Sequence, residues 1–202
     1  GTTALILAAS TIDGDLTLTS GHASGITDNG TVTVGGNLAA TTDDNNGVIN
    51  LGTLAVDGTI ALTTNGNGAA TVVNDAGLNF AASTVRGNLA ATAATGNISD
   101  SGNLTIAGTS SFTTSATDAT ITLNNANPFT GAVSLNTTGS SGNATVVDAS
   151  GLDLGASTVG GNLVATATTG NMEDSGVLTI AGTSSFTTSA DNADIVLNNA
   201  NA

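Results

Sequence analysis

The chain has no cysteine, lysine, glutamine, tryptophan or tyrosine, and only one proline, methionine, histidine, arginine and glutamate each in 202 residues. Without cysteine, no disulfide framework can staple the fold. A single Arg86 stands against 14 aspartates and Glu173, for a net charge of -14. Nothing here attracts a phosphate backbone, so nucleic-acid binding is not expected, and an anionic membrane would repel the surface. No run of 18 apolar residues and no basic leader region occurs, so neither membrane insertion nor a signal peptide is expected. The shortage of strong helix formers, with no apolar recurrence at i, i+3, i+4 and i+7, argues against helix.

What is present repeats. Residues 77–127 read GLNFAASTVRGNLAATAATGNISDSGNLTIAGTSSFTTSATDATITLNNAN, and residues 151–201 return as GLDLGASTVGGNLVATATTGNMEDSGVLTIAGTSSFTTSADNADIVLNNAN. The two stretches agree at 38 of 51 positions with a constant offset of 74. Residues 8–30 align with 81–102, and residues 58–77 with 131–151, so nearly three copies of a 72–74-residue unit fill the chain. Their bounds are approximately 1–73, 74–147 and 148–202. Ala202 falls where Pro128 sits in the preceding copy, and neither end carries an atypical capping sequence, so a segment of a longer array is expected.

Short alternations such as Leu16-Thr-Leu18, Leu104-Thr-Ile106, Ile121-Thr-Leu123 and Leu178-Thr-Ile180 put apolar residues at i and i+2, the period of a strand. Glycine, asparagine, aspartate and serine clusters punctuate them as turns require. Cutting at Asp-x-Gly corners gives eight segments, 5–30, 31–56, 57–77, 78–102, 103–129, 130–151, 152–176 and 177–202, each with room for three short strands. Three strands that short cannot bury a face alone. Wound into coils and stacked at about 4.8 Å, each pairs with its equivalent above and below. The expectation is one all-β, right-handed parallel β-helix (a β-solenoid) of about eight coils, on the order of 38 Å long. On this reading three coils make one long repeat. Phe80, Phe112, Phe129 and Phe186 fill wide places inside, and the pairs Asn124-Asn125 and Asn198-Asn199 form amide ladders. An antiparallel sandwich is the alternative, but it has no need of near-identity between distant copies.

The strings GNL-x-ATA-x-TGN-x-x-DSG, LTIAGTSSFTTSA and ATITLNNAN-PFTGAVSL resemble the shaft repeats of large bacterial surface adhesins of the filamentous haemagglutinin type. The resemblance covers essentially the whole chain. It implies a right-handed β-helical shaft at the cell surface or outside the cell, serving attachment, cell–cell contact or matrix formation. Beside the shaft stands the alternative of a self-assembling filament subunit whose open coil ends dock through unpaired strand edges, so the expected partners are neighbouring repeats or like molecules end to end, and surface glycans of a host or neighbouring cell. No functional residue is carried over by it.

Individual residues offer little chemistry. Asp28, Asp57, Asp75, Asp100, Asp148 and Asp174 mark the coil corners. Stacked a coil apart, Asp57, Asp75 and Asp100 would supply the carboxylate oxygens a calcium ion takes. The simpler reading is that each caps its own turn, and no cofactor is then needed. His22 is the sole imidazole, with no second metal ligand beside it. Arg86 stands where the other copies have Asp13 and Gly160. The adjacent acids Asp43-Asp44 and Glu173-Asp174 face opposite ways on a strand, so they make no glycosidase pair, and no enzyme is expected. Thr-x-Thr occurs at Thr17/Thr19, Thr31/Thr33 and Thr120/Thr122, but the third copy has Asp194 and Val196, which breaks the column a regular ice-binding face needs; a carbohydrate- or ice-binding β-helix stays as a third reading.

Overall fold

The computed structural model describes residues 3–43 and 45–202. They form a parallel β-solenoid with no helix, wound around two long walls. Along the first wall come Leu5–Leu7 with Ser10–Ile12, Ile26–Asp28 with Val32–Val34, Ile49–Val56, Ala70–Asn74, Leu89–Ala93, Ser110–Thr117 and Val133–Thr138. It ends with Leu152–Leu154 and Ser157–Val159, Met172–Asp174 and Leu178–Ile180, and Ile195–Val196. The second wall holds Leu16–Ser20, Leu38–Thr42, Thr59–Thr63, Leu78–Phe80 with Ser83–Val85, and Ile98–Asp100 with Leu104–Ile106. Ile121–Asn127, Ala144–Asp148, Leu163–Ala167 and Ser184–Thr188 complete it.

A typical turn is thus two three-residue strands on one wall and a five-residue strand on the other. Every pairing is parallel. Following Leu5 up its wall, the register partners are Ile26, Ile49, Ala70, Leu89, Ser110, Val133 and Leu154, a nearly even ladder. Ten rungs on this wall make nine turns, one more than the eight segments cut at Asp-x-Gly. The rod is about 43 Å long at the strand spacing.

The strand alternation has the expected consequence. In Ala70–Asn74, Leu89–Ala93 and Leu163–Ala167 every second residue is buried and the rest lie at the surface. Ile26, Val32, Leu51, Val72, Ile98 and Leu123 are wholly enclosed between the walls. Each such side chain contributes about 1.5–3 kcal/mol by leaving water. The turns are tight enough to select their residues. Gly25 has φ +69°, and a Cβ there would run into the Val48 carbonyl of the next turn.

The long repeat is not three coils. From Leu89, three turns reach Leu154 on the same wall, and the chain then runs on to Leu163 on the opposite one. Leu163 is the counterpart of Leu89 in the next copy, so one repeat spans three and a half turns. Equivalent residues of successive copies therefore land on opposite walls. Leu5–Leu7 and Leu152–Leu154 lie on the first wall, and their counterpart Leu78–Phe80 lies on the second. The miscount has a physical cause: a turn averages about 21 residues, and the slack in the glycine-rich corners hides the half-turn left over.

The phenylalanines follow from this. Phe112 stands on the first wall, Phe80 and Phe129 on the second, and they meet edge-on across the core. Ring centroids are 6.3 Å apart at 80° for Phe80 and Phe112, and 6.1 Å at 67° for Phe112 and Phe129. They do not pile into one column. Edge-on packing is the geometry aromatic quadrupoles favour.

Candidate functional site

The corner aspartates divide by what their carboxylates hold. Asp100 ends its strand on the second wall and accepts the Asn124 N–H at 3.0 Å, the Asn125 N–H at 3.3 Å and Asn127 Nδ2 at 2.7 Å. Asp174, one copy later and on the other wall, accepts the Asn198 and Asn199 N–H groups at 2.9 and 3.2 Å, and Asn201 Nδ2 at 2.7 Å. Asp28 does the same with Gly52 N–H, Thr53 N–H and Thr53 Oγ1. The LNNAN segment of one turn is thus folded around the aspartate of the turn before it. Each carboxylate caps the following turn rather than its own, which corrects the turn reading for these three. The expected amide ladders are also absent here, because Asn125 Nδ2 and Asn199 Nδ2 donate to the carbonyls of Asp100 and Asp174 instead.

These bonds set the charge state. Burial alone raises the Asp174 carboxyl, but the Asn201 amide and the Asn198 and Asn199 N–H groups outweigh it and hold it below the ordinary carboxylate value. Asp148 is the opposite case. It is wholly buried at the end of its strand. Burial pushes its carboxyl above the ordinary value, and hydrogen bonds from Ser150 and Phe129 only partly offset that.

Of the three calcium candidates, Asp57 and Asp75 are exposed at corners that follow first-wall strands. They border different surface hollows, Asp57 beside Gly77 and Asn97, Asp75 beside Thr53 and Ala94. Asp100 lies on the second wall with its oxygens engaged as above. The structure does not bring the three together, and among the described residues no cluster of three metal-ligating side chains occurs. His22 Nδ1 accepts the Ser24 N–H within its own turn at 3.0 Å. Arg86 is exposed, and its backbone N–H donates to Thr64 Oγ1. Glu173 points outward between buried Met172 and Asp174. Asp44 lies outside the described residues, so the Asp43-Asp44 pair has no structural description.

Two features escaped the sequence reading. The side-chain oxygens of Asn37, Asn88, Asn97, Asn143, Asn162 and Asn171 each accept a main-chain N–H one turn on, at 2.7–3.0 Å. A net of about 1 kcal/mol for each such bond makes these corner asparagines a distributed clamp between turns. For all but Asn143, which stands in SGNA, the signal was visible as the recurring GNL and TGN. The other feature is a column of five outward threonines on the second wall, Thr19, Thr41, Thr63, Thr84 and Thr105, each the register partner of the next. Members of the column stand one turn apart, whereas the copies compared lie three and a half turns apart on opposite walls. Comparing copies therefore looked along the wrong interval.

This arrangement defines a repeat β-solenoid: a rod whose polar side chains hold turn to turn. The chain belongs to the family described as Repeats of unknown function (DUF5649), which matches residues 1–48, 67–136 and 141–202. The second and third matched stretches begin at residues 67 and 141, the same interval as the copies. No curated protein and no solved structure matches the chain.

Proposed function

We propose that this solenoid is a shaft segment of a large extracellular bacterial fibrous protein, serving attachment, cell–cell contact or matrix formation. The observation that carries the reading is the unbroken parallel ladder through nine turns, with side-chain oxygens spent on joining each turn to the next. Material so disposed resists extension along the axis and offers repeated surface in place of a reaction centre. The acidic surface with a single arginine suits solubility outside a packed assembly. In this role the segment performs no catalysis and needs no cofactor, and its partners are further turns or like molecules stacked end to end, with glycans contacted elsewhere on the fibre.

The test is antibody raised against residues 1–202 and applied to intact producing cells. Labelling outside the envelope that is lost on protease shaving supports the shaft; labelling only after lysis overturns it.

A second reading, binding of ice or carbohydrate by a regular face, is favoured by the Thr19–Thr105 column, whose hydroxyls recur at about 4.8 Å. Ice-affinity partitioning and a glycan array, with Thr63→Tyr as the control, decide it.

A further inference from the structure

The buried polar side chains at the turn ends mostly find main-chain partners, while among the described residues Asn79 Oδ1, Ser110 Oγ and Asp148 Oδ2 are enclosed without one. Thr42, Thr64, Thr114 and Thr137 each donate a hydroxyl to a main-chain carbonyl across their own turn. Asn74 accepts the Val56 N–H at 2.8 Å through Oδ1 and donates Nδ2 to the Val56 carbonyl at 3.0 Å and the Gly77 carbonyl at 2.7 Å. Asp148 holds the same place one copy later, again wholly buried. Its Oδ1 takes over the acceptor role, from the Phe129 N–H at 3.4 Å and from Ser150 N–H and Oγ at 2.9 and 3.0 Å. Phe129 and Gly151 stand where the first site has Val56 and Gly77, carbonyls that received the Asn74 amide. Asp148 Oδ2 is enclosed and has no hydrogen-bond partner.

We propose that Asp148 is a neutral carboxylic acid in the folded chain, its Oδ2–H donating to a main-chain carbonyl as the Asn74 amide does, which makes this turn a pH-sensitive lock. As an acid the group satisfies both of its oxygens. As a carboxylate it leaves an unpaired charged oxygen inside an apolar core, which is costly. Nothing nearby relieves that cost. The strands below and above, Ile121–Asn127 and Leu163–Ala167, carry no ionisable side chain, and neither does Val133–Thr138. On Leu152–Leu154, Asp153 points outward between two buried leucines. The nearest charge in the hydrogen-bond network is another carboxylate, Asp100, which holds the Nδ2 of Asn127, the register partner of Asp148.

The sign is fixed by linkage. A carboxyl whose folded-state value lies above its unfolded one stabilises fully below the unfolded value, and that contribution is lost as pH rises through the folded one. The turn therefore tightens on acidification and loosens towards alkaline pH. The test compares wild type with Asp148→Asn and Asn74→Asp in denaturant titrations between about pH 4 and pH 8. Because all other acids are shared, the ratio of the wild-type to the Asp148→Asn folding constant isolates this carboxyl. It should fall about tenfold per pH unit between the two carboxyl values. Asn74→Asp should install a second loss of the same sign. Infrared difference spectra over the same range should show a protonated carboxyl stretch that outlasts those of ordinary carboxyls as pH rises and that Asp148→Asn abolishes. A folding-constant ratio constant with pH, or an Asp148 carbon resonance titrating at the ordinary carboxylate value, overturns the proposal.

Discussion

A chain without cysteine permits a clean test of which residues stand above one another. Thr84 and Thr105 are register partners on adjacent turns and point outward in the same column. Parallel neighbours lie about 4.8 Å apart, inside the Cα separation of about 4.4–6.8 Å that a disulfide spans. The double variant Thr84→Cys/Thr105→Cys should therefore oxidise to an intramolecular bridge with no other thiol to compete. The bridge closes a loop of one full turn. Loop-closure entropy for about 21 residues amounts to about 3 kcal/mol of stabilisation. For a chain of this size that corresponds to a rise in Tm of about 6–12 °C between reduced and oxidised protein.

The control separates two windings. If three coils made up the long repeat, the residue above Thr84 would be near Thr109. In the winding found here Thr109 instead leads into the strand that pairs with Leu89–Ala93, on the opposite wall. Thr84→Cys/Thr109→Cys should stay reduced or cross-link only between molecules. Mobility on non-reducing gels and thiol titration read the outcome. Bridging in the control, or its failure in the Thr84/Thr105 pair, refutes the two-walled winding and its shorter turn.

Other perturbations reach different parts of the argument. Phe112→Ala removes the ring that meets Phe80 and Phe129 from the opposite wall and should cost about 3–5 kcal/mol in a denaturant titration. A loss near that of an exposed site would contradict the central packing. Asp100→Ala leaves the Asn124 and Asn125 N–H groups and Asn127 Nδ2 without their acceptor, and about 1–3 kcal/mol should be lost. Hydrogen exchange should quicken first across residues 124–127, and uniform quickening along the rod would refute the local clasp. Asp174 has a depressed carboxyl, so its contribution is present above the unfolded value and is lost as pH falls through the folded one. Asp174→Asn should accordingly flatten the acid limb of the stability profile, and an unchanged acid limb would contradict the role given to Asn198, Asn199 and Asn201.

Strand, turn and solenoid were legible because they rest on local pattern and on repetition. Leu104-Thr-Ile106 and Leu178-Thr-Ile180 alternate as one-sided strands must, and both became strands. The length of a turn was not legible. It depends on how much chain each glycine-rich corner consumes, and the step from Ala70 to its partner Leu89 is shorter than the step from Ser110 to Val133. Everything that hangs on that length was hidden with it. Asp100 meets Asn124, Asn125 and Asn127 on the following turn, and only a known turn length brings them together. The same holds for the threonine column, whose members stand one turn apart while the eye is drawn to identity between whole copies. Asp148 was visible as a corner residue, but its burial became meaningful only beside Asn74.

The half-turn remainder carries a mechanical consequence. Were the repeat a whole number of turns, every copy of Phe80 or Phe112 would fall on the same wall. Each wall would then keep its own inventory through every copy, and any difference between the two would add up along the rod. With an odd number of half-turns, each copy hands its inventory to the opposite wall. Phe112 on the first wall is answered by Phe186 in Ser184–Thr188 on the second, and the small corner residues exchange sides likewise. Two walls that share one composition over successive copies carry matched side-chain inventories, which removes one source of systematic curvature. Near-identical repeats are then no obstacle to close packing: equivalent aromatics never stack directly upon themselves, and each meets a different neighbour across the core.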